Sequence, residues 1–162
     1  MTQSNSSKLN IVTVSDTEFQ MSRTFNAPRE LVFRAITEPE LLTRWWGWRK
    51  STTVIEKLEL RPGGSYRILS VAEDGTEYAF RGEIREVTPP SRFVWTFEFE
   101  GMPGHICEDA HTLEEQDGKT TVTTHSTFAT KEDRDGMLES MEDGAAESYD
   151  RLEELLVDLQ KS

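Results

Sequence analysis

Apolar residues recur along this chain with two different periods, and the change of period marks its elements. From Ile11 to Phe25 the pattern reads as one strand, with Phe19, Met21, Arg23 and Phe25 on a shared face. Asn26-Ala27-Pro28 then signals a helix start, with proline in the first turn. Leu31, Val32, Ala35 and Ile36 follow at helical spacing. Thr37-Glu38-Pro39-Glu40 has the form of a capping box. It predicts a second short helix carrying Leu41, Leu42, Trp45 and Trp46 and ending near Gly47.

Alternation returns after Gly47. Strands are predicted over 54–60, 65–71, 77–87, 92–99, 106–115 and 120–128. Between them lie Arg61-Pro62-Gly63-Gly64, Asp74-Gly75, Pro89-Pro90, Gly101-Met102-Pro103-Gly104 and Asp117-Gly118, all turn compositions. Short turns make the neighbours antiparallel. With the first strand this gives about seven strands.

Thr130, three residues before Asp133, caps a closing helix. Its stripe runs through Met137, Leu138, Met141, Ala145, Tyr149, Leu152, Leu155, Leu156 and Leu159. Gly136 and Gly144 weaken it, by about 1 kcal/mol each relative to Ala, and Gly144 marks a kink or a close approach. A sheet with one apolar face needs a cover, and this helix is the element able to supply it. The expected architecture is therefore α+β: a curved antiparallel sheet wrapped around a long C-terminal helix, with two short helices after the first strand. Residues 1–10 read as a disordered tail and 11–162 as one domain.

Composition narrows the function classes. Thirty acidic against 18 basic side chains give a net charge of −12, a field that repels nucleic acid and anionic membranes alike. Eleven acids and four bases fall between Lys131 and Ser162, so most of the excess lies on the solvent face of the long helix. The lone cysteine, Cys107, excludes an intrachain disulfide. No apolar run approaches the roughly 20 residues of a membrane span, and the polar start lacks the apolar core of a secretory signal. The expectation is a cytoplasmic protein.

Several motifs carry a family resemblance. They are Phe25-Asn26-Ala27-Pro28-Arg29-Glu30-Leu31-Val32-Phe33, Pro39-Glu40-Leu41-Leu42-Thr43-Arg44-Trp45-Trp46-Gly47, Arg61-Pro62-Gly63-Gly64, and Pro89-Pro90-Ser91-Arg92-Phe93. Over residues 17–160 the chain resembles the START-like (Bet v 1-like, SRPBCC) superfamily. Within it, the chain resembles bacterial proteins similar to the C-terminal domain of the activator of heat-shock-protein-90 ATPase. The resemblance implies a helix-grip fold with a cavity between sheet and C-terminal helix. Members bind lipids, hormones or polyketides, and a minority are cyclase-type enzymes. The eukaryotic co-chaperone engages its chaperone through a separate N-terminal domain, which residues 1–16 are too short to supply.

Alternation along each strand selects the residues that face inward. Trp45 and Trp46, Tyr66 and Ile68, Tyr78 and Phe80, Trp95 and Phe97, Asp109 and His111, and Thr124 are the expected lining from helix and sheet. Met137, Met141 and Ala145 are the expected lining from the long helix. Each of these positions equally suits a filled core. One of Trp45 and Trp46 should plug the core and the other close the mouth. His105, Cys107, Asp109, His111 and Leu113 share one face if their strand is regular, and a buried acid and imidazole need partners. Asp109 and His111 paired with each other, or with Tyr66, Tyr78, Thr124 or Ser126, would form a polar end or do acid/base work. His105, Cys107, Asp109, His111 and His125 are acceptable metal ligands, but His125 should face outward and no tight cluster forms, so no metal is expected. No phosphate-binding glycine loop and no hydrolase elbow occurs, so no cofactor is expected.

Three functions follow as alternatives. The first is a binding protein for a small hydrophobic or amphipathic molecule, with no chemistry firmly indicated. The second is a polyketide-cyclase-like enzyme using the Asp109/His111 pair. The third is a stress-response or chaperone-associated interaction protein. An exposed tryptophan edge is compatible with a homodimer.

Overall fold

A computed structural model describes residues 9–161, apart from the side chains of residues 140–143. It contains eight strands: β1 (Asn10–Ser15), β2 (Glu18–Phe25), β3 (Thr52–Leu58), β4 (Ser65–Val71), β5 (Glu77–Thr88), β6 (Arg92–Phe99), β7 (Ile106–Gln116) and β8 (Lys119–Thr127). Helices α1 (Arg29–Thr37) and α2 (Pro39–Trp45) follow β2, and α3 (Lys131–Lys161) closes the chain. One antiparallel sheet runs in the order β1-β2-β8-β7-β6-β5-β4-β3.

The expected single strand over 11–25 is a hairpin. Ser15 Oγ donates to Glu18 at 2.9 Å and accepts the Thr17 N–H at 3.3 Å, which folds the chain back at Asp16-Thr17. This turn contains no Gly, Pro or Asn, so composition did not flag it. Leu9 already packs on the core, and Asn10 opens β1. The rest of the expected tail, residues 1–8, lies outside the described residues.

The capping box at Thr37 is also replaced. Thr37 Oγ1 donates to the Phe33 carbonyl at 2.7 Å. Glu38 ends α1 and starts α2 with no side-chain cap. Pro39 takes the first helical position of α2, where its missing N–H costs nothing. Pro28 stands just before α1 rather than inside it. The Thr130 cap forms as expected, with its Oγ1 accepting the Asp133 N–H at 3.1 Å. Asp117 (φ 55°) and Gly118 (φ 79°) make the two-residue β7–β8 turn.

Helix α3 lies over the inner face of the sheet. Toward the C-terminus the space is filled: Leu152, Leu155 and Leu156 pack with Phe25, Val32, Leu42 and Ile84, all but fully buried. Burying each leucine is worth roughly 1.5–3 kcal/mol. Tyr66 stacks on Trp95 with ring centroids 4.1 Å apart, and its hydroxyl donates to the Thr96 carbonyl at 2.6 Å. That stack needs Gly82: a Cβ there would lie 2.0 Å from the Thr96 carbonyl oxygen and 2.7 Å from the Tyr66 ring. Tyr66 and Ile68, expected along a pocket, belong to this packed region.

Candidate functional site

Near the start of α3, Met137 and Leu138 pack on Phe19, Cys107 and Phe128, but the stretch 144–148 does not fill the sheet. It presents Gly144, Ala145 and Ser148 to the inner face, and a cavity of about 450 Å3 remains. Phe80, Trp95, Phe97 and Phe99 line it from β5 and β6, and Trp45, Trp46 and Trp48 from α2 and the loop after it. These rings touch in series, Trp46 on Phe80 at 5.2 Å, Phe80 on Phe97 and on Phe99 at 5.3 Å, and Trp48 on Tyr78 at 6.5 Å. Such contacts fix the walls without polar groups.

The loop at the rim is stapled to α3. Gly47, at φ 95°, turns the chain. Its N–H donates to Ser148 Oγ at 3.1 Å, and Ser148 donates to the Trp45 carbonyl at 3.3 Å. Arg151 donates to the carbonyls of Arg44, Gly47 and Trp48 at 3.0–3.1 Å. Arg49 forms a two-pronged bridge to Glu154. A Cβ on Gly144 would stand 3.0 Å from Trp48 Nε1, so the glycine lets this ring lie against the helix. Trp45 is buried and sends its N–H to the Ala35 carbonyl at 2.9 Å, whereas Trp48 is 45% exposed. Trp45 thus plugs the core, and the mouth is shared by Trp46 and Trp48.

One wall is polar. Asp109 accepts three donors: Ser126 Oγ at 2.7 Å, the Trp95 indole N–H at 3.3 Å and the Cys107 thiol at 3.7 Å. His111 is not hydrogen-bonded to Asp109. Its Nδ1 lies 3.1 Å from the Phe93 carbonyl. A carbonyl only accepts, so the ring carries its proton on Nδ1 and keeps Nε2 as an acceptor. Burial pushes the His111 pKa below its ordinary value, against the opposing pull of Asp109, and holds the ring neutral. Burial first, and Asp109 second, push the Cys107 thiol well above its ordinary range, so the residue is no activated nucleophile. Burial likewise raises Tyr149. Thr124 Oγ1 is buried without a well-aligned hydrogen bond, although the Tyr149 hydroxyl interacts with it.

Trp45, Trp46, Tyr78, Phe80, Trp95, Phe97, Asp109, His111, Thr124, Met137 and Ala145 all line the cavity. Met141 lies outside the described side chains. Phe19, Trp48, Ser148 and Tyr149 line it as well, although the expected lining did not include them. Ser148 was discoverable, since it sits one turn from Gly144 and Ala145 on the same stripe.

The metal-ligand types do not converge. His105 precedes β7, is exposed, and pairs with Asp133 at 2.7 Å, so it leaves the expected inner face. His125 is on the opposite face of the sheet, bonded to Glu18 at 2.5 Å and Gln20 at 3.2 Å. There it borders a separate polar depression with Arg92 and Thr123. Among the described residues no group of three His, Cys, Asp or Glu could hold a metal ion, and no helix is long and apolar enough to cross a membrane.

Residues 26–157 match the family described as activator of Hsp90 ATPase homolog 1-like protein. Solved structures share the fold. A protein of Rhodobacter sphaeroides superposes with a TM-score of 0.87 at 24% identity, over 93% of this chain and 99% of that one. A protein of Mycobacterium smegmatis gives 0.82 at 25% identity, over 92% and 97%. A protein of Staphylococcus epidermidis gives 0.77 at 26% identity, over 91% and 93%. No curated protein matches the chain.

Proposed function

Starting from the fact that the chain belongs to the family of activator of Hsp90 ATPase homolog 1-like proteins, we propose that it is a START-like binding protein for a small hydrophobic or amphipathic molecule. The observation that carries this reading is the aromatic cavity of about 450 Å3 between sheet and α3. Its volume lies within the range of roughly 300–1,000 Å3 typical of small-molecule sites, and it joins apolar walls to a few convergent polar groups. The cyclase reading draws less support. A general base is normally oriented by a partner on its far nitrogen, and a carboxylate in that place would favour the charged ring. Here the far nitrogen of His111 meets a neutral carbonyl.

Titration with the neutral fluorophore phenylnaphthylamine tests the proposal. Saturable emission enhancement, with quenching of tryptophan fluorescence, is the expected result. Ala145→Phe, which intrudes on the cavity, should abolish both. No saturable binding, together with no adduct in native mass spectrometry of the purified protein, would overturn the assignment.

A further inference from the structure

The proposed cavity has a chemical bias that its volume alone does not reveal. Among the described residues, no lysine or arginine lines it. The nearest buried cation, Arg23, stands outside the lining: its Nη1 donates to Asp150 at 2.8 Å, its guanidinium lies over the Phe25 ring at 5.3 Å, and its Nε is buried without a hydrogen-bond partner. The polar wall instead presents acceptors: the Asp109 carboxylate and His111 Nε2, with its proton placed on the opposite nitrogen by the Phe93 carbonyl. Two oxygens of a carboxylate offer about four lone-pair sites. Ser126, Trp95 and Cys107 occupy three of them. Thr124 Oγ1, 3% exposed and lacking a well-aligned partner, faces the same space.

Resting on the binding-protein reading, we infer that the cavity takes a ligand with an apolar, ring-sized body and a protonated amine as its head, and excludes carboxylates. An ammonium donates to every group this wall leaves open and carries the charge that Asp109 lacks in a partner. The indole and phenyl faces around it add attraction for a cation. A carboxylate head would meet Asp109 without any cation to offset the repulsion, between apolar walls that screen it less than bulk water does. The net charge of −12 adds to the bias by drawing cations toward the mouth and repelling anions.

Calorimetric titration with three matched probes tests this: naphthylmethylamine, naphthalenemethanol and naphthoate. The unaltered protein should bind the amine about tenfold or more tighter than the alcohol, and the carboxylate weakest. In Asp109→Asn the ratio of amine to alcohol affinity should fall to about one, whatever change the two share. Circular dichroism and the thermal midpoint check that this variant is folded; should it not be, the three-probe series on the unaltered protein decides alone. Equal binding of amine and alcohol, or tighter binding of naphthoate, overturns the charge preference and leaves the cavity a binding site. Failure of all three probes to bind overturns this inference, and overturns the binding-protein reading as well where phenylnaphthylamine also fails and no adduct is found.

Discussion

The two halves of α3 solve the same packing problem in opposite ways. From Tyr149 onward the helix carries Tyr149, Leu152, Leu155 and Leu156 into the core and leaves them no more than 8% exposed. Before Tyr149 it carries Gly144, Ala145 and Ser148, and the space opposite them stays open. The sheet is no less apolar there, since Phe80, Phe97 and Phe99 stand at that end. Side-chain size on the helix therefore decides where the molecule is core and where it is cavity. Stability and ligand capacity are thus assigned to different segments of one element.

The contrast can be broken most forcefully from the filled end. Leu156→Ala should cost about 2–5 kcal/mol in urea unfolding, because a fully buried side chain is removed from close packing. At the open end Ala145→Leu should change stability by less than about 1.5 kcal/mol while weakening phenylnaphthylamine at least tenfold, about 1.4 kcal/mol of binding. A loss of stability there as large as that of Leu156→Ala would mean that the space is not available. A smaller effect comes from the staple between the halves. Arg151→Ala removes donors to three carbonyls and should lower stability by about 1 kcal/mol. Its clearer sign is faster ligand dissociation in stopped-flow measurements, because Trp48 loses its anchor; an unchanged rate would separate this loop from ligand exchange.

The smallest effect is a pH slope. Burial depresses the His111 pKa in the folded chain, so the unfolded chain takes up this proton more readily. The contribution to stability is full above about pH 6.5 and is lost as pH falls below it. The difference between wild type and His111→Phe isolates this residue, and the variant should lose less stability on acidification. A variant that loses more would reverse the assignment.

The facing of the strands was legible because alternation is a local property. Phe93 and Trp95, or Val122 and Thr124, can point inward only together, and the structure places them so. The β1–β2 hairpin was not legible, since its turn is closed by Ser15 hydrogen bonds rather than by a residue of special backbone freedom. The loss of Tyr66 and Ile68 to the packed core has another cause. Alternation gives the face of a strand but not the position along it at which the helix opposite changes from leucine to alanine. The Asp109–His111 pair failed to form for a similar reason. Residues two apart share a face, yet their partners lie across the strands, on Ser126 of β8 and Phe93 of β6.

The lone thiol of the chain turns this geometry into a clock. Cys107 is 4% exposed, hydrogen-bonded to Asp109 and held protonated, so alkylation proceeds only through rare excursions that admit a reagent and free the sulfur. A single mass increment then counts those excursions over time. Its rate with a neutral maleimide measures how often the wall opens, and the slowing of that rate by an occupant converts occupancy into a kinetic quantity readable without any spectroscopic label.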